Sequence, residues 1–315
     1  MPAWRTATGD LLARARSGDK RSIARLVSVV ENDDPGAAEA MRELYPKTGR
    51  AQTVGITGPP GGGKSTLVNR LAALYRERAA RVAIVAVDPS SPFSGGAILG
   101  DRIRMRERFL DDGIFIRSMA SRGHAGGLAR ATARVVNVLD ALGTDIVLVE
   151  TVGVGQEEVD VIRVVDTVCL VTVPGLGDDI QAIKAGIIEI ADVLVVNKAD
   201  RPGADDAARD LAQMLSLAKD RPWKTPIVRT SAQSGDGLPQ LVDAIDKHRA
   251  WSRESGDYVE RRRAAARSEV EALLQEALLR ELEGRVGESR LDAAVARVAD
   301  RAIDPYAAVD ELLRR

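Results

Sequence analysis

Lys64 and Ser65 close the stretch Gly58-Pro-Pro-Gly-Gly-Gly-Lys-Ser65, which fits G-x-x-x-x-G-K-[ST] at every fixed position. This pattern does phosphate chemistry. Glycines at 58, 61, 62 and 63 let backbone N–H groups turn inward around an anion, and a following helix adds the positive end of its dipole. Lys64 is expected to reach the β- and γ-phosphates, and Ser65 to hold Mg²⁺ through its hydroxyl. A chance glycine turn would lack the apolar run Thr53–Thr57 before it and the helical pattern over 64–78 after it.

Three more apolar runs end in residues that suit the same ligand. Val82–Val87 leads into Asp88, placed to bind Mg²⁺ or its waters; a turn cap before Pro89 is the competing reading. Asp145–Val149 leads into Glu150-Thr-Val-Gly153, which suits a metal-polarising acid followed by a glycine whose N–H can approach the γ-phosphate. An unpaired acid at a buried strand end is costly, which argues against a purely structural Glu150. Val193–Val196 leads into Asn197-Lys-Ala-Asp200, the N-K-x-D pattern of guanine selection. Asp200 can accept from both the base N1–H and its exocyclic amine, which adenine does not offer together. Asn197 holds the loop, and the Lys198 stem can lie along the ring. Ser231-Ala232 fits a last base-contacting loop. Gln156, Glu157 and Glu158 lie near enough to orient an attacking water, and equally suit a solvated helix start. Together these residues imply a Mg²⁺-dependent GTP hydrolase working by positioning and charge neutralisation.

The elements that must position these residues follow from periodicity. Short Val/Ile-rich runs at 53–57, 81–87, 114–118, 145–149, 167–173, 193–196 and 226–230 read as strands buried on both faces. They alternate with helical patterns at 64–78, 99–110, 127–142, 178–190, 204–219 and 237–251. The expected fold is α/β, a P-loop NTPase with a mostly parallel sheet and helices on both faces. Ligands then sit outside the carboxyl ends of the strands, where the motifs fall. Residues 1–50 read as an N-terminal helical extension, 51–253 as the GTPase domain and 254–315 as a C-terminal helical segment. Val270, Leu273, Leu274, Ala277, Leu278 and Leu282 form an apolar stripe in that last segment. The stripe must be covered by its own domain or by a second copy.

Composition narrows the classes. The 315 residues carry 45 Lys+Arg against 46 Asp+Glu, a net charge of −1, so no basic field suggests nucleic acid or a membrane surface. No apolar stretch has membrane-spanning length and no signal-peptide pattern opens the chain, so a cytoplasmic protein is expected. The single Cys169 sits in an apolar run and reads as a core residue.

The motifs resemble a known family. Gly58–Thr66, Val87-Asp-Pro-Ser-Ser91, Gly95-Gly-Ala-Ile-Leu-Gly-Asp-Arg102, Glu150-Thr-Val-Gly-Val-Gly-Gln-Glu157, Asn197–Asp200 and Asp304-Pro-Tyr306 look like those of the methylmalonyl-CoA mutase-associated GTPases of MeaB/ArgK type. The resemblance implies a GTPase chaperone of an adenosylcobalamin-dependent acyl-CoA mutase that gates cofactor loading and protects or rescues the mutase. It implies a homodimer through the C-terminal helices. It places Ser65, Asp88, Asp101 and Glu150 around Mg²⁺ and Thr66 beside the nucleotide. It makes Gly177–Lys184 an extra switch, from which Lys184 or Asp178 could approach the nucleotide. The competing classes are a nickel-inserting GTPase, which one Cys and two His disfavour, and a transport-linked ATPase or kinase, which Asn197–Asp200 disfavours.

Overall fold

The computed structural model describes residues 3–88, 111–120, 127–151, 164–175, 185–217 and 221–314. By compactness the chain divides after Val259.

Residues up to Val259 open with three helices, α1 (Ala3–Arg16), α2 (Lys20–Glu31) and α3 (Ala37–Leu44). Then follow β1 (Gln52–Thr57), α4 (Lys64–Glu77), β2 (Val82–Asp88), β3 (Ile114–Ala120), α5 (Gly127–Ala141) and β4 (Ile146–Thr151). The series continues with β5 (Thr167–Thr172), α6 (Ala185–Ile190), β6 (Val193–Val196), α7 (Ala204–Leu217), β7 (Ile227–Arg229) and α8 (Leu238–Ser255). Among the described residues the sheet has seven strands in the order β3-β2-β4-β1-β5-β6-β7. Every pairing is parallel. Parallel strands need crossovers, and the helices that supply them cover both faces, so the strands read as unbroken apolar runs.

Alternate residues of each strand serve opposite faces. Val54, Ile56, Ile84 and Leu148 pack with Leu67 and Leu71 of α4 and Leu241 and Ile245 of α8. Val85, Val147 and Val149 pack on the other face with Val135 and Leu139 of α5. Leu26, Val27 and Val30 of α2 and Leu44 of α3 belong to that second core and have no exposed surface. The N-terminal helices are therefore packed into the sheet domain, with Arg117 of β3 bonded to the nearly buried Glu31 that ends α2. At the far end of this face, Leu170, Leu194 and Val196 meet α6 and α7. Cys169 is fully buried, and burial pushes its thiol pKa up, so it is an inert core residue.

Asp19 caps α2 by accepting from the Ser22 N–H at 3.0 Å. The Ser22 hydroxyl, then its N–H, holds the Asp19 carboxyl below the ordinary 3.8. A depressed carboxyl contributes stability above its unfolded value, and that contribution is lost as pH falls through the folded value. Asp19→Ala is expected to lower the unfolding midpoint by a few degrees at neutral pH. The gap from wild type should close only below 3.8, which thermal melts across acidic pH will check.

From Glu260 onward the chain is helical. It comprises the greater part of α9 (Asp257–Val286), then α10 (Glu288–Ala299) and α11 (Pro305–Leu313). Asp304 caps α11 by accepting from the N–H groups of Tyr306 and Ala307, with proline in the first turn, where its missing N–H costs nothing. Ala294 and Ala308 are buried where α10 and α11 pack, and Arg297 pairs with Glu311 at 2.6 Å. Val270, Leu273, Leu274, Leu278 and Leu279 of α9 are exposed in the single chain. Among the described residues no helix is long and apolar enough to cross a membrane.

Candidate nucleotide site

The phosphate loop joins β1 to α4, and its shape demands glycine at two points. Gly58 has φ +146°, and a Cβ there would collide with the carbonyl oxygen of Val171 on β5. Gly63 caps α4 at φ +83°, and a Cβ there would lie 2.5 Å from the Asn197 amide nitrogen. Both positions combine a conformation that L-residues avoid with a neighbour that cannot yield. The Gly62 N–H donates to Pro59 O at 3.2 Å and tightens the loop. Lys64, 6% exposed, donates to Gly58 O at 2.7 Å and Pro59 O at 3.0 Å, so its ammonium lies against the carbonyls of its own loop. Gly61 and Thr66 are exposed at the loop and helix surface.

Ser65 and Glu150 meet. The Ser65 hydroxyl donates to Glu150 Oε1 at 2.6 Å, and Glu150 is 5% exposed at the end of β4. Thr57 and Thr151, which end β1 and β4, bond to each other at 3.0 Å and tie these two strand tips together. Asp88 ends β2 in register with Ala120, so its backbone stands at the same edge of the sheet. The side chain of Asp88, and Asp101, Gly153, Gln156, Glu157, Glu158, Asp178 and Lys184, lie outside the described residues.

Three loops converge on Asn197, which is 1% exposed at the end of β6. Its amide donates to Gly62 O at 2.9 Å. Its carbonyl oxygen accepts from Ala232 N–H at 3.1 Å and the Thr230 hydroxyl at 3.2 Å. One buried side chain thus clamps the phosphate loop, the N-K-x-D loop and the Ser231-Ala232 loop, and its hydrogen-bonding groups are engaged in doing so. Lys198, at φ +56°, donates to Gly61 O at 2.7 Å. Asp200 is exposed. The Ser231 hydroxyl, then its own N–H, holds its carboxyl below the ordinary range, with Arg201 and Lys198 adding to the effect. An ionised acceptor is therefore fixed at the rim.

Sequence reasoning missed Arg70. This α4 residue donates to Ala232 O at 3.1 Å and Gln233 O at 2.9 Å, closing a circuit from the phosphate loop through Asn197 to the 231–233 loop and back to α4. An arginine on an exposed helix face carries no local signal of such a role.

Fold and loops together define the class: a P-loop GTPase. The crystal structure of an LAO/AO transport system kinase shares the fold, with a TM-score of 0.71 at 24% identity, covering 98% of this chain and 96% of that one. The family described as methylmalonyl Co-A mutase-associated GTPase MeaB matches residues 23–286, and the chain belongs to it. A candidate GTPase of Pyrococcus abyssi is 47% identical over 97% of this chain and 95% of its own. GTPase ArgK of Escherichia coli is 35% identical over 74% and 73%. The mitochondrial methylmalonic aciduria type A homolog of Mus musculus is 35% identical over 83% of this chain and 64% of its own length. The chain binds guanine nucleotide and hydrolyses GTP.

Proposed function

We propose that this GTPase is a chaperone of an adenosylcobalamin-dependent acyl-CoA mutase, with methylmalonyl-CoA mutase as the first candidate client. In this role it gates cofactor loading and protects or reactivates the mutase. The observation that carries the reading is membership of a family described by its mutase association, over residues 23–286. The name of the mouse relative supports it. Exposed Val270, Leu274, Leu278 and Leu279 support a homodimer through the C-terminal helices.

The chemistry assigned to the site is attack of water on the γ-phosphorus, breaking its bond to the bridging oxygen and leaving GDP and phosphate. Lys64 neutralises charge on the β- and γ-phosphates. The Ser65 hydroxyl and Glu150 carboxylate, converging at 2.6 Å, are hard oxygen donors suited to Mg²⁺, which supplies further charge neutralisation when bound. Asp88 and Asp101 are assigned to the same metal. Gly153, Gln156 and Lys184 are assigned to the γ-phosphate and its water. Asp200, backed by Ser231 and Ala232, reads the guanine edge, with Asn197 and Lys198 shaping its loop.

Slow intrinsic turnover is expected. Titrating purified adenosylcobalamin mutases into the GTPase should form a complex with one of them and raise GTP turnover by about tenfold or more. No response from any such mutase would sink the chaperone role and leave the GTPase intact.

A further inference from the structure

The start of β5 and β6, at the end of the sheet opposite the nucleotide loops, holds a polar knot that the hydrolysis chemistry does not use. Asp192, just before β6, and His248 of α8 are both fully buried. Asp192 Oδ2 accepts from the Val168 N–H at 2.9 Å. Its Oδ1 accepts from Arg221 Nη2 at 3.1 Å and lies 3.3 Å from His248 Nε2. His248 Nδ1 lies 2.9 Å from the Thr167 hydroxyl. With the proton on Nε2, the ring sets an N–H beside the carboxylate and accepts from the Thr167 hydroxyl at Nδ1. Trp223 donates from its indole N–H to Asp192 O at 2.8 Å, and the rings of Trp223 and Trp251 stand 5.0 and 5.8 Å from the imidazole.

A buried acid with a buried imidazole is an expensive way to fill space, since apolar side chains of the same volume would serve stability as well or better. What this set adds is directional. Asp192 grips Val168 twice, by its carboxylate and by its own N–H to Val168 O at 2.9 Å. That grip sets the height of β6 on β5. The two strands pair over only four residues, Cys169↔Val193 to Thr172↔Val196, so little else fixes their register. At the other end of those four residues Thr172 O accepts the Asn197 N–H at 2.8 Å, and the Asn197 side chain reaches Gly62.

We propose that Asp192 and His248 are positioning residues for guanine selection. They pin the start of β6 so that its end delivers Asn197, and with it the Asp200 loop, to the phosphate loop. This inference rests on the assignment of Asn197–Asp200 as the base-reading loop.

The test measures Kd for GDP and ADP on the full chain by calorimetry. The two ligands carry the same phosphates, so the ratio of Kd values cancels both phosphate binding and any loss of folded protein. His248→Phe keeps a ring between the tryptophans and deletes both nitrogens, and Asp192→Asn removes the charge. Each is expected to reduce the preference for GDP by about tenfold, the scale of one or two buried hydrogen bonds. Tryptophan emission should shift in both, because two of the three tryptophans flank the site. An unchanged ratio in both variants overturns the proposal. Should neither fold, Arg221→Met, at the 28% exposed edge of the same carboxylate, decides by the same ratio. Asp200→Asn is the control: if it too leaves the ratio unchanged, the base-reading assignment fails rather than the positioning one.

Discussion

Asp200→Asn is expected to lower GTP affinity by about 10²-fold and to leave ATP affinity unchanged. An ionised carboxylate accepts both donors of the guanine edge, and charge-assisted bonds contribute about 1.5–3 kcal/mol each. Asp200 is exposed, so water competes and the lower part of that range applies. An amide offers one acceptor and sets a donor against the exocyclic amine of guanine, so one bond is lost and a clash of donors is added. The same change should favour xanthosine triphosphate, whose base carries a carbonyl where guanine carries the amine. Loss of GTP binding with a gain for the xanthine nucleotide separates altered recognition from damage to the fold. Calorimetry with GTP, ATP and XTP checks all three expectations, and a retained preference for GTP would place base recognition elsewhere.

The sheet was legible because parallel strands covered on both faces leave unbroken Val/Ile runs, and all seven strand candidates lie within two residues of those observed. Glycine and loop motifs were legible for a related reason. Gly58 and Gly63 are dictated by backbone positions that a side chain would fill, and such demands leave the residue type fixed in the sequence. The N-terminal helices showed an apolar stripe but not its destination. That Leu26 and Val30 share one core with Val135 and Leu139 is a tertiary fact with no local pattern. Polar contacts between distant segments were least visible. Thr57 with Thr151, Arg70 with the 232–233 carbonyls, and Asp192 with His248 each join residues far apart in the chain. Each partner alone reads as an ordinary strand, helix or loop residue. The motif named Asn197 as a base-loop residue, and spacing alone gave no hint that one amide would tie three loops.

Lys64→Ala is expected to reduce kcat/KM for GTP by about 10³-fold. The ammonium is 6% exposed and is held by two carbonyls of its own loop at 2.7 and 3.0 Å, so it is fixed before nucleotide arrives. In the proposed role, a cation held at the loop neutralises charge as it shifts toward the leaving oxygen. Removing one such preorganised donor typically costs about 2.7–4 kcal/mol of transition-state stabilisation. Among the described residues the other cation at the loop, Lys198, bonds to Gly61 O and does not replace it. Arginine at position 64 should be almost as damaging, because the planar fork of a guanidinium does not reproduce the compact ammonium that sits against the Gly58 and Pro59 carbonyls. The fold should survive, since the loop remains anchored by Asn197 to Gly62 and by the packing of Leu67 and Leu71. Steady-state turnover, read together with a thermal melt, separates the two effects. Turnover within tenfold of wild type in a folded Lys64→Ala protein would show that the phosphate charge is neutralised by another group.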